Sequence, residues 1–140
     1  MKDQLLRTIM RQITDELGYG LKESVYQCAL AVEMRFQGHK VDLEVNKSIL
    51  YHGSQARSLR SPPAGLHCQA HNVGTVRLDM VIDDNYIVEL KALAKITKKE
   101  FTQLQLYMKI SGIKNGCIIN VNTDSVQVLT AANRVSERAL

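Results

Sequence analysis

VRLDMVIDDNYIVELK, residues 76–91, is the stretch that decides how this chain folds. Residues 76–82 and 86–91 are apolar runs rich in β-branched residues. Asp83, Asp84 and Asn85 between them are residue types that favour turns. The reading is two antiparallel strands joined by a tight turn. Side chains alternate along a strand, so Arg77, Asp79 and Val81 are expected on one face of the first. Glu89 and Lys91 are expected on one face of the second, with Leu90 pointing away. Pairing about the turn then lets Asp79 approach Glu89 and Lys91 sideways.

Two carboxylates and an ammonium on one spot are unfavourable unless a cation joins them. Asp79, Glu89 and the backbone carbonyl of Leu90 would offer hard oxygen ligands of the kind Mg2+ prefers. Lys91 beside such an ion would bind a water or a scissile phosphate oxygen, and the chemistry suggested is hydrolysis of a phosphodiester. The bland alternative is a solvated sheet edge. Against it, this is the only Glu-x-Lys in the chain, and both acids interrupt otherwise apolar strands.

Working outward, residues 92–96 lead to Thr97, which has Glu100 three positions on. That spacing is a capping box, so a helix begins at Thr97. It is expected to bury Phe101, Leu104 and Met108 and to stop near Gly112. Gln103 and Tyr107, four apart, share one of its faces and would lean over the site to hold a phosphate or position Lys91. Residues 116–121 are a continuous apolar run, hence a buried strand, and residues 126–129 are a candidate for one more. Residues 133–140 read as a polar tail.

Upstream, Leu5, Leu6, Ile9 and Ile13 recur at helical spacing. After Gly18-Tyr19-Gly20, a second helix is expected over about residues 21–37, with Val25, Cys28, Ala29, Val32 and Phe36 on its inner face and Gly38 ending it. Glu23 in its first turn would complement the helix dipole or join the site. Val41, Leu43, Val45, Ile49 and Tyr51 alternate as a strand does. Residues 52–74 are polar, contain Ser-Pro-Pro and show no periodicity; they read as a loop inserted between two paired strands. The order is helix, helix, strand, strand, strand, helix, strand. A late strand after a crossover helix indicates an α/β fold with a central mixed sheet flanked by helices, formed by residues 1–140 as a single domain.

Composition agrees. The chain has 140 residues, 45 % of them hydrophobic, with no Trp, so the core must be mostly aliphatic. The net charge of +4 and pI near 9.0 tilt toward a polyanionic partner. Lys95, Lys98 and Lys99, just past the Lys91 strand, and Arg77 beside Asp79 would attract a phosphate backbone in a salt-dependent way. Cys28, Cys68 and Cys117 have no CxxC spacing, and Cys28 and Cys117 read as small buried hydrophobes. That usage suits a reducing compartment, so an intracellular protein of the cytoplasm or nucleus is expected. No apolar run approaches the ~20 residues of a membrane span.

Taken together, GLKESVY at residues 20–26, RLD at 77–79, ELKA at 89–92 and the Gln103 to Tyr107 spacing resemble the GxxExxY proteins of the PD-(D/E)XK nuclease superfamily. The resemblance implies a restriction-endonuclease-like core. It makes Asp79 and Glu89 metal ligands and Lys91 the catalytic lysine. Glu23 becomes an extra acidic group at the metal, and Gln103 with Tyr107 an element like the QxxxY of RecB-type nucleases. Gly20 and Tyr26 would serve structure, the glycine at a tight helix entry and the tyrosine packed beneath the site. The cofactor implied is Mg2+ or Mn2+. The substrate implied is nucleic acid, DNA rather than RNA, with a role in repair, recombination or genome maintenance by analogy. A homodimer would place two sites for double-strand cutting, though nothing in the sequence requires one. The rival readings are a non-cleaving nucleic-acid-binding module on the same fold and a protein-interaction or assembly subunit.

Overall fold

The computed structural model describes residues 2–52 and 70–131. Helices α1 (Lys2–Leu17) and α2 (Glu23–Phe36) come first, then strands β1 (Val41–Tyr51), β2 (His71–Ile82) and β3 (Tyr86–Lys91). Helix α3 (Lys98–Ser111) and strands β4 (Gly116–Val121) and β5 (Val126–Thr130) complete the order. The five strands form one sheet in the order β1-β2-β3-β4-β5. Pairing is antiparallel throughout, except that β3 and β4 run parallel through the α3 crossover. The result is the mixed α/β architecture expected, in three layers.

Helices α1 and α2 cover one sheet face. Leu6, Ile9, Met10 and Ile13 of α1 and Tyr26, Leu30 and Met34 of α2 pack there on Met80, Val88, Leu90, Cys117 and Ile119. Helix α3 covers the other face, where Leu104 meets Leu78, Val81, Ile87 and Ile118, with Phe101, Tyr107 and Met108 partly buried around them. Every residue of β4 is buried, as its unbroken apolar run requires of a central strand covered on both sides.

Local signals in the sequence explain the ends of α3. Thr97 caps its start: the Thr97 side chain accepts from the Lys99 N–H, and the Glu100 side chain accepts from the Thr97 N–H at 2.7 Å. Gly112, with φ 74°, ends it in the left-handed conformation that glycine adopts without strain. The β2–β3 connection is three residues long, Asp83 to Asn85, with Asp83 and Asp84 at φ 51° and 58° and the Asn85 N–H donating to the Ile82 carbonyl at 3.1 Å. His39 and Lys2 bind the Asp83 carboxylate, the histidine contact being the larger influence, and hold it at a pKa of about 2.

Four expectations need correction. The face of α2 read as internal points outward: Phe36 is 86 % exposed, Val32 51 % and Val25 40 %, while Tyr26, Gln27, Leu30, Ala31 and Met34 are buried. The helix carries two apolar stripes of nearly equal periodicity, and the sheet takes the one bearing Tyr26 and Gln27. Cys28 is accordingly exposed rather than buried, while Cys117 is buried and its thiol pKa rises to about 12 through desolvation. The loop expected over residues 52–74 is shorter, because residues 71–74 already belong to β2 and pair with β1. Its residues 53–69, with Cys68, and the tail expected over residues 133–140 lie outside the described residues.

The fourth concerns alternation in β2. Leu78 and Val81 both face α3, whereas Met80 and Ile82 face α1 and α2. The simple rule that Arg77, Asp79 and Val81 share a face therefore fails at Asp79. Across from it the β1–β2 register omits the Glu44–Asp79 pair, and Glu44 has φ 52°. A non-glycine residue in that region is strained, and such strain collects where function needs a particular aim.

Candidate active site

The sheet forks at this irregularity. Pairing between β2 and β3 runs from Ile82–Tyr86 to Met80–Val88 and stops. Beyond it β2 stays with β1, and β3 stays with β4 as far as Lys91–Asn120. Opening a ladder leaves backbone donors without strand partners, and side chains must replace them. Asp79 and Glu89 do so. The Leu90 N–H donates to Asp79 Oδ2 at 2.9 Å, and the Asp79 N–H donates to Glu89 Oε1 at 3.2 Å. The two carboxyl groups therefore sit in the crotch of the fork. A strand residue's N–H and C=O point to the same side. The Leu90 carbonyl thus faces the β2 side with its N–H.

Glu89 is only 3 % exposed. Burial, and then the neighbouring charge of Asp79, push its pKa up to about 8. Lys91 opposes that shift only weakly, because its ammonium is aimed elsewhere: Lys91 Nζ donates to Gln103 Oε1 at 2.9 Å. Among the described residues, Lys91 thus gives the two carboxyl groups only weak compensation.

Helix α3 completes the far side. An ammonium can only donate, so the Gln103 amide must turn its oxygen to Lys91. Its Nε2 then donates to the Tyr107 hydroxyl at 3.0 Å, leaving the tyrosine O–H free to donate onward. Burial, and next the charge of Glu89, raise the Tyr107 pKa, which keeps the hydroxyl protonated. The expected juxtaposition of Gln103 and Tyr107 with Lys91 is therefore present.

Glu23 approaches from the α2 side. Its Oε1 accepts from the Ala92 N–H at 2.9 Å, one residue past Lys91. It grips the end of β3 rather than joining Asp79 and Glu89. The described residues contain no group of three or more His, Cys, Asp or Glu side chains able to hold a metal. The rest of the Gly20-to-Tyr26 motif shapes this approach. Gly20 has φ 91°, and the Tyr26 hydroxyl donates to the Gly18 carbonyl at 2.7 Å and accepts from the Leu21 N–H at 3.3 Å. These contacts hold the chain at the entry to α2.

Two supporting residues escape the sequence reading. Gln27 is buried and its Nε2 donates to the Asp79 carbonyl at 3.0 Å, which fixes the strand at the fork. Asn120, wholly buried in β4, clamps Leu93 by accepting its N–H at 2.9 Å and donating to its carbonyl at 2.8 Å. The signal for Asn120 was visible: it is the lone polar side chain in the run of residues 116–121. Of the basic residues, Lys95, Lys98 and Lys99 are exposed on the segment leading into α3 and its first turn, and exposed Arg77 lies 4.0 Å from Glu44.

The profile of the PD-(D/E)XK nuclease superfamily matches residues 2–62 and 60–131, the two stretches meeting inside the segment between β1 and β2. The chain belongs to that superfamily, whose members are in general nucleases that use divalent metals such as Mg2+. No curated protein and no solved structure matches it. Among the described residues, no helix is long and apolar enough to cross a membrane.

Proposed function

We propose that this protein is a Mg2+- or Mn2+-dependent nuclease that hydrolyses phosphodiester bonds in DNA, and that it is a GxxExxY-type member of its superfamily. One observation carries the reading: the carboxyl groups of buried Glu89 and half-buried Asp79 are held together at the fork, while the Lys91 ammonium is hydrogen-bonded to Gln103 and compensates Glu89 only weakly. The donor set suits a hard divalent ion, with Asp79, Glu89 and the Leu90 carbonyl as the groups to hold it. Such an ion supplies charge neutralisation at the phosphate and a lowered pKa for water.

The chain's own groups do the rest. Lys91 Nζ is a donor and a fixed positive charge, suited to bind a non-bridging phosphate oxygen as negative charge develops there. Gln103 holds that ammonium, and the Tyr107 O–H is available for a second phosphate contact. Water attacks phosphorus and loses a proton to solvent as the bond to the leaving sugar oxygen breaks, and that oxygen takes up a proton from solvent to leave as a hydroxyl. Glu23 sets the position of Ala92 and so of Lys91 before it through Oε1; a direct ligand role would fall to its other oxygen. Lys95, Lys98, Lys99 and Arg77 would line the approach of the backbone. The family likeness and the basic net charge support DNA as substrate and a part in genome maintenance inside the cell.

The test is cleavage of labelled DNA and RNA with Mg2+ and with Mn2+. Wild type should cut, and Lys91→Ala should lose cutting while keeping its fold and its response to metal. A well-folded wild type that cuts neither polymer with any divalent ion overturns the proposal.

A further inference from the structure

Helix α2 is apolar on two sides, and only one is packed against other described residues. The inner side packs on the sheet and serves the site through Glu23 and Gln27. The outer side presents Val25, Cys28, Val32 and Phe36 to solvent, with half-buried Ala29 beside them. An exposed apolar stripe along a helix marks an interaction surface.

The order of its residues says what covers it. About a point between positions 28 and 29 the stripe is nearly a palindrome: valine, two small residues, valine. A two-fold interface requires that residue i meet j while j meets i. Laid antiparallel on a second copy, Val25 faces the partner's Val32, and beside the two-fold axis Cys28 meets the partner's Cys28 on one side and Ala29 the partner's Ala29 on the other. The two small residues at the centre allow close approach of the helices, and Phe36 reaches past the start of the partner helix, where Leu21 is 39 % exposed.

Charge agrees with the same register. Lys22 is the extended N-cap of α2, at the end of the helix that the partner's Glu33 approaches in this register. In the antiparallel pair each Lys22 comes within about two residues, or ~3 Å along the axis, of the partner's Glu33. Neither has an ion-pair partner among the described residues. We infer that α2 is a homodimerisation surface, packing antiparallel on α2 of a second copy about a two-fold axis at Cys28 and Ala29, flanked by two Lys22–Glu33 pairs. The inference is independent of the nuclease reading, since this face lies opposite the side of α2 that bears Glu23.

Sedimentation of the full chain up to ~200 µM tests it. Wild type should dimerise reversibly. Val32→Glu, a change at an exposed position, should be monomeric with an unchanged circular dichroism spectrum. Lys22→Glu should weaken the dimer by about tenfold, and adding Glu33→Lys should restore it, because the pair is then reversed rather than removed. In a Cys68→Ser background, mild oxidation should give a covalent dimer through Cys28 that reductant reverses. A monomeric wild type at every concentration overturns the inference, even if Phe36 proves to bind another protein or a lipid surface. A dimer indifferent to Val32→Glu, or a charge reversal that fails to restore association, overturns it as well.

Discussion

Asp79 and Glu89 each complete the other's strand: the Asp79 N–H donates to the Glu89 carboxylate, and the Asp79 carboxylate accepts from the N–H of Leu90, the residue after Glu89. The exchange occurs where β2 and β3 part, so the same two side chains terminate a ladder and build a site. Their closeness is thereby enforced by backbone hydrogen bonding. Keeping buried Glu89 beside half-buried Asp79 disfavours the charged form of Glu89.

That arrangement makes metal-free stability depend on pH in a defined sense. Glu89 has a raised folded pKa, near 8 against an ordinary 4.5, because burial and Asp79 disfavour its charged form. The folded state therefore holds the proton more tightly than the unfolded state. Stability from this group is complete below pH ~4.5 and is lost as pH rises toward ~8. Glu89→Gln, which cannot ionise, should melt higher than wild type without metal at pH 8 and lose that advantage at pH 5. Wild type should gain thermal stability on adding Mn2+ at pH 8, and the variant should gain little. Melting curves in chelator and in Mn2+ at the two pH values check both halves.

Gln103 should act through Lys91. Gln103→Leu removes the acceptor that holds the ammonium and the donor to Tyr107. Cleavage should fall about 10–100-fold, the usual effect of losing a supporting hydrogen bond beside a metal site. The Mn2+ thermal shift should survive, because Asp79 and Glu89 are untouched. A rate unchanged by Gln103→Leu would show that Lys91 needs no such support. Gln103→Glu, which keeps an acceptor for Lys91, should recover part of the rate.

Gly116 opens β4 where β3, β4 and α3 meet. A Cβ there would stand 3.0 Å from the Ile87 carbonyl oxygen, 3.2 Å from Leu104 Cδ1 and 3.3 Å from Ile87 Cβ. The carbonyl belongs to the ladder and cannot turn aside. Gly116→Val should destabilise the protein by about 1–3 kcal/mol, in the range of other overpacked interiors. Chemical denaturation measures it, and a change below ~0.5 kcal/mol would mean that the two strands separate more readily than their register implies.

Much of this was legible because the decisive signals are local. The Asp83–Asn85 turn and the Thr97–Glu100 cap depend on near neighbours in the chain, and they appear where expected; the alternation of β1 breaks at Glu44, which leaves Val41 and Leu43 on the α1–α2 face and Val45 on the α3 face. Asp79 and Glu89 could be brought together from the hairpin alone, whereas Lys91 turns to Gln103. The orientation of α2 could not, because two stripes of comparable apolarity compete and the choice rests on long-range contacts, Gln27 to Asp79 and Glu23 to Ala92. Nor does a regular strand pattern disclose the break at Asp79. It arises from the unpaired Glu44 across the sheet, which is a tertiary fact. The clamps made by Gln27 and Asn120 were hidden for the same reason, since a buried amide declares its purpose only when its partner is known.

Gln27 offers the sharpest separation of scaffold from chemistry. It touches none of the groups assigned to metal or phosphate, yet it is buried and donates to the backbone of Asp79. Gln27→Leu keeps the volume and the helix but leaves the Asp79 carbonyl without that donor. Loss of one such bond costs about 1 kcal/mol of folding stability, or somewhat more if the carbonyl stays dry. The larger effect should fall on the site, because the Asp79 carboxylate is aimed by the backbone that Gln27 restrains. Mn2+ affinity should drop about tenfold, and cleavage at saturating Mn2+ should approach the wild-type rate. A purely structural role predicts lower stability with unchanged metal affinity. Titration calorimetry with Mn2+ on the folded variant distinguishes the two, since it reads the ion's affinity apart from any loss of stability.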